Sequence, residues 1–141
     1  MRVSLRLYIP HDQDAVIQLW HDCGLSVPWN DPGKDIDRKL TVQPDLFLVA
    51  LSDEEKIIGS IMAGFDGHRG SVNYLAVHPD HRKQGIAEKL MNEVERLLIE
   101  AGCPKINVMI RNSNLVATGF YEAIGYEPQS VVVYGKRLVS D

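Results

Sequence analysis

Apolar and polar residues alternate through Val3, Leu5, Leu7 and Ile9, the period of a half-buried strand, and Pro10 breaks the pattern. Ala15, Val16, Leu19, Trp20 and Cys23 then recur at helical spacing, with Asp12 placed to cap that helix and Gly24 to end it. The next stretch holds Pro28, Trp29, Asn30, Asp31 and Pro32 and reads as a loop. A short helix is expected over 35–42. Strands are expected over 46–51 and 57–65, joined by a turn at 52–56. Asp66-Gly67 is a hairpin signal, and a third strand over 72–77 ends at Pro79.

Beyond Gln84 the period changes. Ala87, Leu90, Met91, Val94, Leu97, Leu98 and Ala101 form the buried stripe of a long amphipathic helix, stopped by Gly102 and Pro104. A strand over 106–110, a helix over 114–124 and a last strand over 131–138 complete the chain. The predicted order is β-α-α-β-β-β-α-β-α-β. It implies an α/β fold, a central mixed sheet with helices on both faces, in one domain over 1–141.

Composition narrows the function classes. The 141 residues are 45% apolar and 24% charged, with a net charge of -4. This is the balance of a globular chain that buries its own core, and it disfavours a nucleic-acid partner. No apolar run is long enough to span a membrane, and the stretch from Met1 to Arg6 lacks the apolar segment of a signal peptide. A cytoplasmic address is expected. Cys23 and Cys103 have neither disulfide nor zinc spacing and read as core thiols. His78 and His81 flank a turn without a third ligand nearby, so no metal is expected.

The candidate chemistry begins at Arg82-Lys83-Gln84-Gly85-Ile86-Ala87, a loop leading into the long helix. A helix start offers unpaired N–H groups and the positive end of a dipole. Gly85 permits close approach of a ligand to the backbone, and Arg82 and Lys83 add positive charge. The segment suits a diphosphate, and it equally suits an ordinary turn with solvated basic residues. It lacks the lysine and hydroxyl of a P-loop.

A second segment gives this loop its meaning. In chain order, Leu75-Ala76-Val77, Pro79, Arg82-x-x-Gly85-Ile86-Ala87, a long helix, a strand and Asn114-x-x-Ala117-x-x-Phe120-Tyr121-Glu122-x-x-Gly125-Tyr126 resemble the GNAT N-acetyltransferase family. Within it, length and layout are similar to the small bacterial ribosomal-protein-alanine acetyltransferases. The resemblance implies a cleft between splayed central strands that binds acetyl-CoA. Leu75, Ala76 and Val77 would pair with the pantetheine arm, one N–H polarising the thioester carbonyl. Lys83, Gln84, Gly85, Ile86 and Ala87 would hold the pyrophosphate beside Arg82. Asn114 would bond the pantetheine region or cap its helix. Tyr121 would protonate the departing thiolate, a phenol near ~10 serving a thiol near ~8.5.

The proton-removing half is less complete. In the ribosomal-protein branch a glutamate on the fifth strand is the base, and the resemblance puts Met109 at that position. Asp66, His68 and Tyr74 are the candidates on the hairpin, with a water chain as the alternative. Trp29, Asn30 and Asp31 form either an acceptor-binding loop or a simple turn. The expected activity is transfer of an acetyl group from acetyl-CoA to a primary amine of a peptide, lysine or small molecule, by direct attack in a ternary complex. A non-catalytic CoA-binding sensor or interaction module is the alternative. Monomer and homodimer both fit.

Overall fold

A computed structural model describes residues 2–141. Met1, the first residue of the stretch read for a signal peptide, lies outside the described residues. The chain divides into two compact units, Met1–Val108 and Met109–Asp141.

The first unit is built on a five-stranded sheet in the order β1 (Ser4–Leu7), β2 (Phe47–Leu51), β3 (Ile57–Phe65), β4 (Gly70–Val77) and β5 (Ile106–Val108). The first four strands form an antiparallel meander, and β5 joins β4 in parallel, so the sheet is mixed as expected. Helices α1 (Gln13–Asp22) and α2 (Pro32–Lys39) follow β1, and α3 (Ile86–Glu100) connects β4 to β5.

Adjacent residues of β3 place the helices on opposite faces. Side chains of consecutive strand residues point to opposite sides. Ser60 accepts a hydrogen bond from the Trp20 indole of α1 at 2.9 Å. A Cβ on Gly59 would lie 3.3 Å from Leu90 Cδ1 of α3, 3.1 Å from Ala50 Cβ and 3.2 Å from the Ala76 carbonyl. A side chain there would force these neighbours to give by a few tenths of an ångström. On the first face Val16, Leu19, Trp20 and Ile36 pack on Tyr8, Phe47, Val49 and Met62. On the other, α3 buries Ile86, Leu90, Met91, Val94 and Leu98, the stripe its periodicity predicts.

Asp12 behaves differently from expectation. It precedes α1 without capping it. Its carboxylate takes two hydrogen bonds from Arg6, at 2.7 and 2.9 Å, and one from the Ile9 N–H at 2.9 Å. Arg6 holds the Asp12 carboxyl below the usual carboxylate range, its hydrogen bonds outweighing the cost of burial. A sequence pattern cannot distinguish a cap from an ion pair to the preceding strand. The α2 cap is simpler: Asp31 accepts from the N–H groups of Gly33 and Lys34, with Pro32 at the first helical position.

The second unit contains α4 (Leu115–Ala123). Asn114 caps it, its side-chain oxygen accepting from the Ala117 N–H at 3.0 Å. The strand expected over 131–138 is not formed: no strand is assigned there among the described residues. Val131, Val132, Val133 and Tyr134 are all exposed. An apolar run becomes a strand only when a neighbour supplies ladder hydrogen bonds, and β-propensity alone does not provide one. The two cysteines are half-buried and not core thiols. No helix among the described residues is long and apolar enough to cross a membrane.

Candidate functional site

Strand β4 carries the irregularity on which the site is built. Ser60 pairs with Ala76, and Met62 pairs with Asn73. One residue of β3, Ile61, therefore faces two of β4, Tyr74 and Leu75, which is a β-bulge. Tyr74 takes up the extra length with φ of 53°, a left-handed conformation uncommon for a non-glycine residue. On its other side β4 pairs with β5 only through Gly70, Ser71 and Val72. From Asn73 to Val77 no strand is paired to β4 on that side among the described residues. Leu75, Ala76 and Val77 thus sit on an open edge, the arrangement that lets an extended ligand add hydrogen bonds as a strand would.

The bulge is held by side chains. Ser60 donates to the Tyr74 carbonyl at 2.8 Å while accepting from Trp20. The Trp20 and Tyr74 rings stack at 3.7 Å with 12° between planes. The Tyr74 hydroxyl donates to Asp35 Oδ2 at 2.6 Å. Asn30 Nδ2 donates to the same carboxylate oxygen at 2.5 Å and lies 2.9 Å from the Tyr74 hydroxyl. Four segments distant in sequence are joined here by buried and half-buried polar groups that satisfy one another.

The end of β4 is organised by its last carbonyl. Val77 O accepts from Cys23 Sγ and from Arg82 Nε, both at 3.3 Å. Burial pushes the Cys23 thiol up, which keeps it a protonated donor. His78 takes the Asp80 N–H on Nδ1 at 3.1 Å, and its Nε2 lies 3.5 Å from Asp22. The chain then turns through Lys83, with φ of 62°, and Gly85, with φ of 76°. Gly85 is the N-cap of α3, and no side chain caps this helix. A Cβ on Gly85 would meet nothing within 4 Å. The positive φ accounts for glycine here, and the space before the helix start is open. The first N–H groups of α3 face it with no capping side chain, the geometry that an anion at a helix start requires.

Other predicted positions fall elsewhere. Asp66 accepts from the backbone N–H groups of His68 and Arg69, both at 2.8 Å, and so builds the hairpin turn. These bonds lower its pKa. His68 is exposed beside it. Trp29 is 58% exposed and does not cover the core. Among the described residues no group of three histidine, cysteine or acidic side chains is placed to hold a metal ion.

In the second unit, Tyr121 is buried, with Phe120 and Tyr126 edge-on at 5.1 and 5.5 Å. Burial raises its pKa to about 12. The phenol is thus a fixed hydrogen-bond donor at any physiological pH. Met109 is 66% exposed.

Asp35 and Ser60 carry no signal in the sequence. Asp35 looks like an acid in the first turn of a helix, and its Tyr74 partner is 39 residues away.

Comparison with known proteins fits this geometry. Residues 14–126 match the model of the acetyltransferase (GNAT) family. An acetyltransferase of Pectobacterium atrosepticum is 50% identical over 139 residues, 99% of this chain and 98% of its own. One of Sodalis glossinidius is 51% identical over 140 residues, again 99% and 98%. Among solved structures, AAC(6')-Iy in complex with a CoA-linked bisubstrate analogue superposes with a TM-score of 0.80 at 19% identity, covering 97% of this chain and 99% of that one. The Escherichia coli ribosomal-protein-alanine N-acetyltransferase superposes with a TM-score of 0.76 at 18% identity, over 92% and 80%. At such identities these two attest the fold, and the closer relatives and the family match attest the rest: the chain belongs to the GNAT acetyltransferase family and is an acyltransferase.

Proposed function

We propose that this protein transfers an acetyl group from acetyl-CoA to a primary amine in a ternary complex, within a single functional domain over 1–141. The observation that carries the reading is the open β4 edge at Leu75–Val77 running directly into the uncapped start of α3. The pantetheine arm adds to that edge as a strand would. The pyrophosphate lies on the backbone of Lys83, Gln84, Gly85, Ile86 and Ala87, with the Arg82 guanidinium beside it. A β4 N–H polarises the thioester carbonyl. The neutral amine attacks it, the nitrogen passes its excess proton to water, the tetrahedral intermediate collapses, and CoA leaves as a thiolate. Asn114 supports the cofactor and Tyr121 donates to the thiolate. Support for these two roles is the family match, which runs through both units. A solved aminoglycoside N-acetyltransferase of this fold is complexed with CoA, which favours a CoA ester as donor.

The acceptor is a peptide or small-molecule amine reaching the α1 and α2 side of β4. Asp66 and His68 at the hairpin tip and Trp29 on its exposed loop are rim contacts for it. The protein works in the cytoplasm, as a monomer or homodimer, without metal.

Two measurements test this. Acetyl-CoA at saturation raises the melting temperature, since a ligand of the folded state stabilises it. Thiol release then follows when an amine is added. An unmoved melting temperature rejects the reading.

A further inference from the structure

We infer that the acceptor is an amine carrying a second positive charge, and that Asp35, presented by Tyr74 and Asn30 at the β4 bulge, holds that second charge. The inference rests on the donor reading above and adds the substrate class. Tyr74 immediately precedes Leu75, where the open edge begins, so its side chain stands one residue from the proposed thioester position. The Trp20 ring backs the Tyr74 ring at 3.7 Å and prevents it from swinging inward. The hydroxyl donates to Asp35 Oδ2 at 2.6 Å, and Asn30 donates to the same oxygen. The carboxylate is thereby fixed on the α1 and α2 face, yet its side chain is 22% exposed.

The charge balance points to a cation. Asp35 is oriented by two neutral donors, neither of which balances its negative charge. Its ionic partner is Arg38, which reaches Oδ1 at 3.3 Å from a side chain that is 54% exposed. A pair so exposed is screened and weak. Asp35 Oδ2 already accepts from the Tyr74 hydroxyl and from Asn30, so the carboxylate is placed to hold a charge and not to take up a proton. The group that attacks the thioester must be a neutral amine. The positive charge met by Asp35 therefore belongs to a different group on the same acceptor.

The test compares 1,4-diaminobutane with butylamine at saturating acetyl-CoA, by thiol release. The wild-type enzyme is expected to favour the diamine in kcat/KM by tenfold or more. Asp35→Asn keeps an acceptor for Tyr74 and removes the charge. It should raise KM for the diamine about tenfold, and by several times more than it raises KM for butylamine, while the acetyl-CoA-induced melting shift persists. Asp35→Glu should recover part of the preference, and Arg38→Ala should lower KM for the diamine. Equal use of the two amines overturns the inference, as does an equal loss on both in Asp35→Asn. Failure to turn over either amine, in a protein whose melting temperature acetyl-CoA raises, also overturns it while the donor reading stands. A melting temperature unmoved by acetyl-CoA instead rejects the donor reading itself.

Discussion

The two sides of β4 are made of different material. The side proposed for the cofactor is main chain: an open strand edge, a left-handed glycine and a helix start without a capping side chain. The side proposed for the acceptor is side chain: Trp20, Ser60, Tyr74, Asp35 and Asn30, each fastened to another. Backbone amides recognise what every CoA ester shares, and their geometry survives most substitutions. Side chains distinguish one amine from another, and they are wired into the core that holds the fold. Lesions on the acceptor side should therefore appear in stability, and lesions on the cofactor side in affinity.

The largest effect expected is from Trp20→Ala. It removes a fully buried ring that spans α1, Phe47 and Tyr74. Thermal or denaturant unfolding should register a loss of roughly 3–5 kcal/mol. A loss under about 1 kcal/mol would break the claim that the acceptor wall is part of the core. Ser60→Ala comes next. It leaves the Trp20 N–H without its acceptor and the Tyr74 carbonyl without its donor, at about 1–3 kcal/mol. Acetyl-CoA affinity, measured on the folded fraction, should stay within about twofold.

Gly85→Ala tests the opposite side. In the free protein the new methyl meets nothing, so only the left-handed φ is penalised, at about 1 kcal/mol. Titration with acetyl-CoA should nevertheless show about tenfold weaker binding, because the methyl enters the space kept for the diphosphate. Unchanged binding would remove Gly85 from the cofactor site.

The smallest effect near neutral pH concerns Tyr121, where pH is the probe. Its folded pKa of about 12 lies above the ordinary phenol value of 10.0, because burial disfavours the charged form. The neutral phenol's contribution is complete below pH ~10 and is lost as pH rises toward ~12. That loss is on the order of 1–3 kcal/mol. Tyr121→Phe should flatten this alkaline slope in melting curves while leaving stability between pH 6 and 9 within about 0.5 kcal/mol. An unaltered slope would assign it to other groups.

Legibility in the sequence followed the range of the interactions. The α3 stripe, the Asp66-Gly67 turn and the Gly85 helix start are set by residues within a few positions of one another, and they are where the pattern placed them. The bulge was not visible, because it arises from a mismatch in pairing between two strands. Asp35 could not be recognised from its own neighbourhood, since Tyr74 and Asn30 define its role. The strand expected over 131–138 failed for a related reason: a run of valines states a preference, and pairing needs a partner. Asp12 showed that one acidic residue has several satisfactory uses and that distant packing selects among them.

The three-residue pairing of β5 with β4 has a consequence for how the molecule assembles. Strands β1 to β4 are joined mainly by antiparallel neighbours, and the β3–β4 hairpin closes locally. The parallel contact of Gly70 with Ile106 must wait until α3 has formed and crossed the sheet. Loop-closure entropy is spent before that contact returns anything. Docking of β5 is thus expected as a late event in folding and an early one in local opening. The open cofactor edge begins where β5 stops, so its length depends on the least secured strand of the sheet. A few additional pairs would lock the fold more firmly and shorten the edge offered to the cofactor.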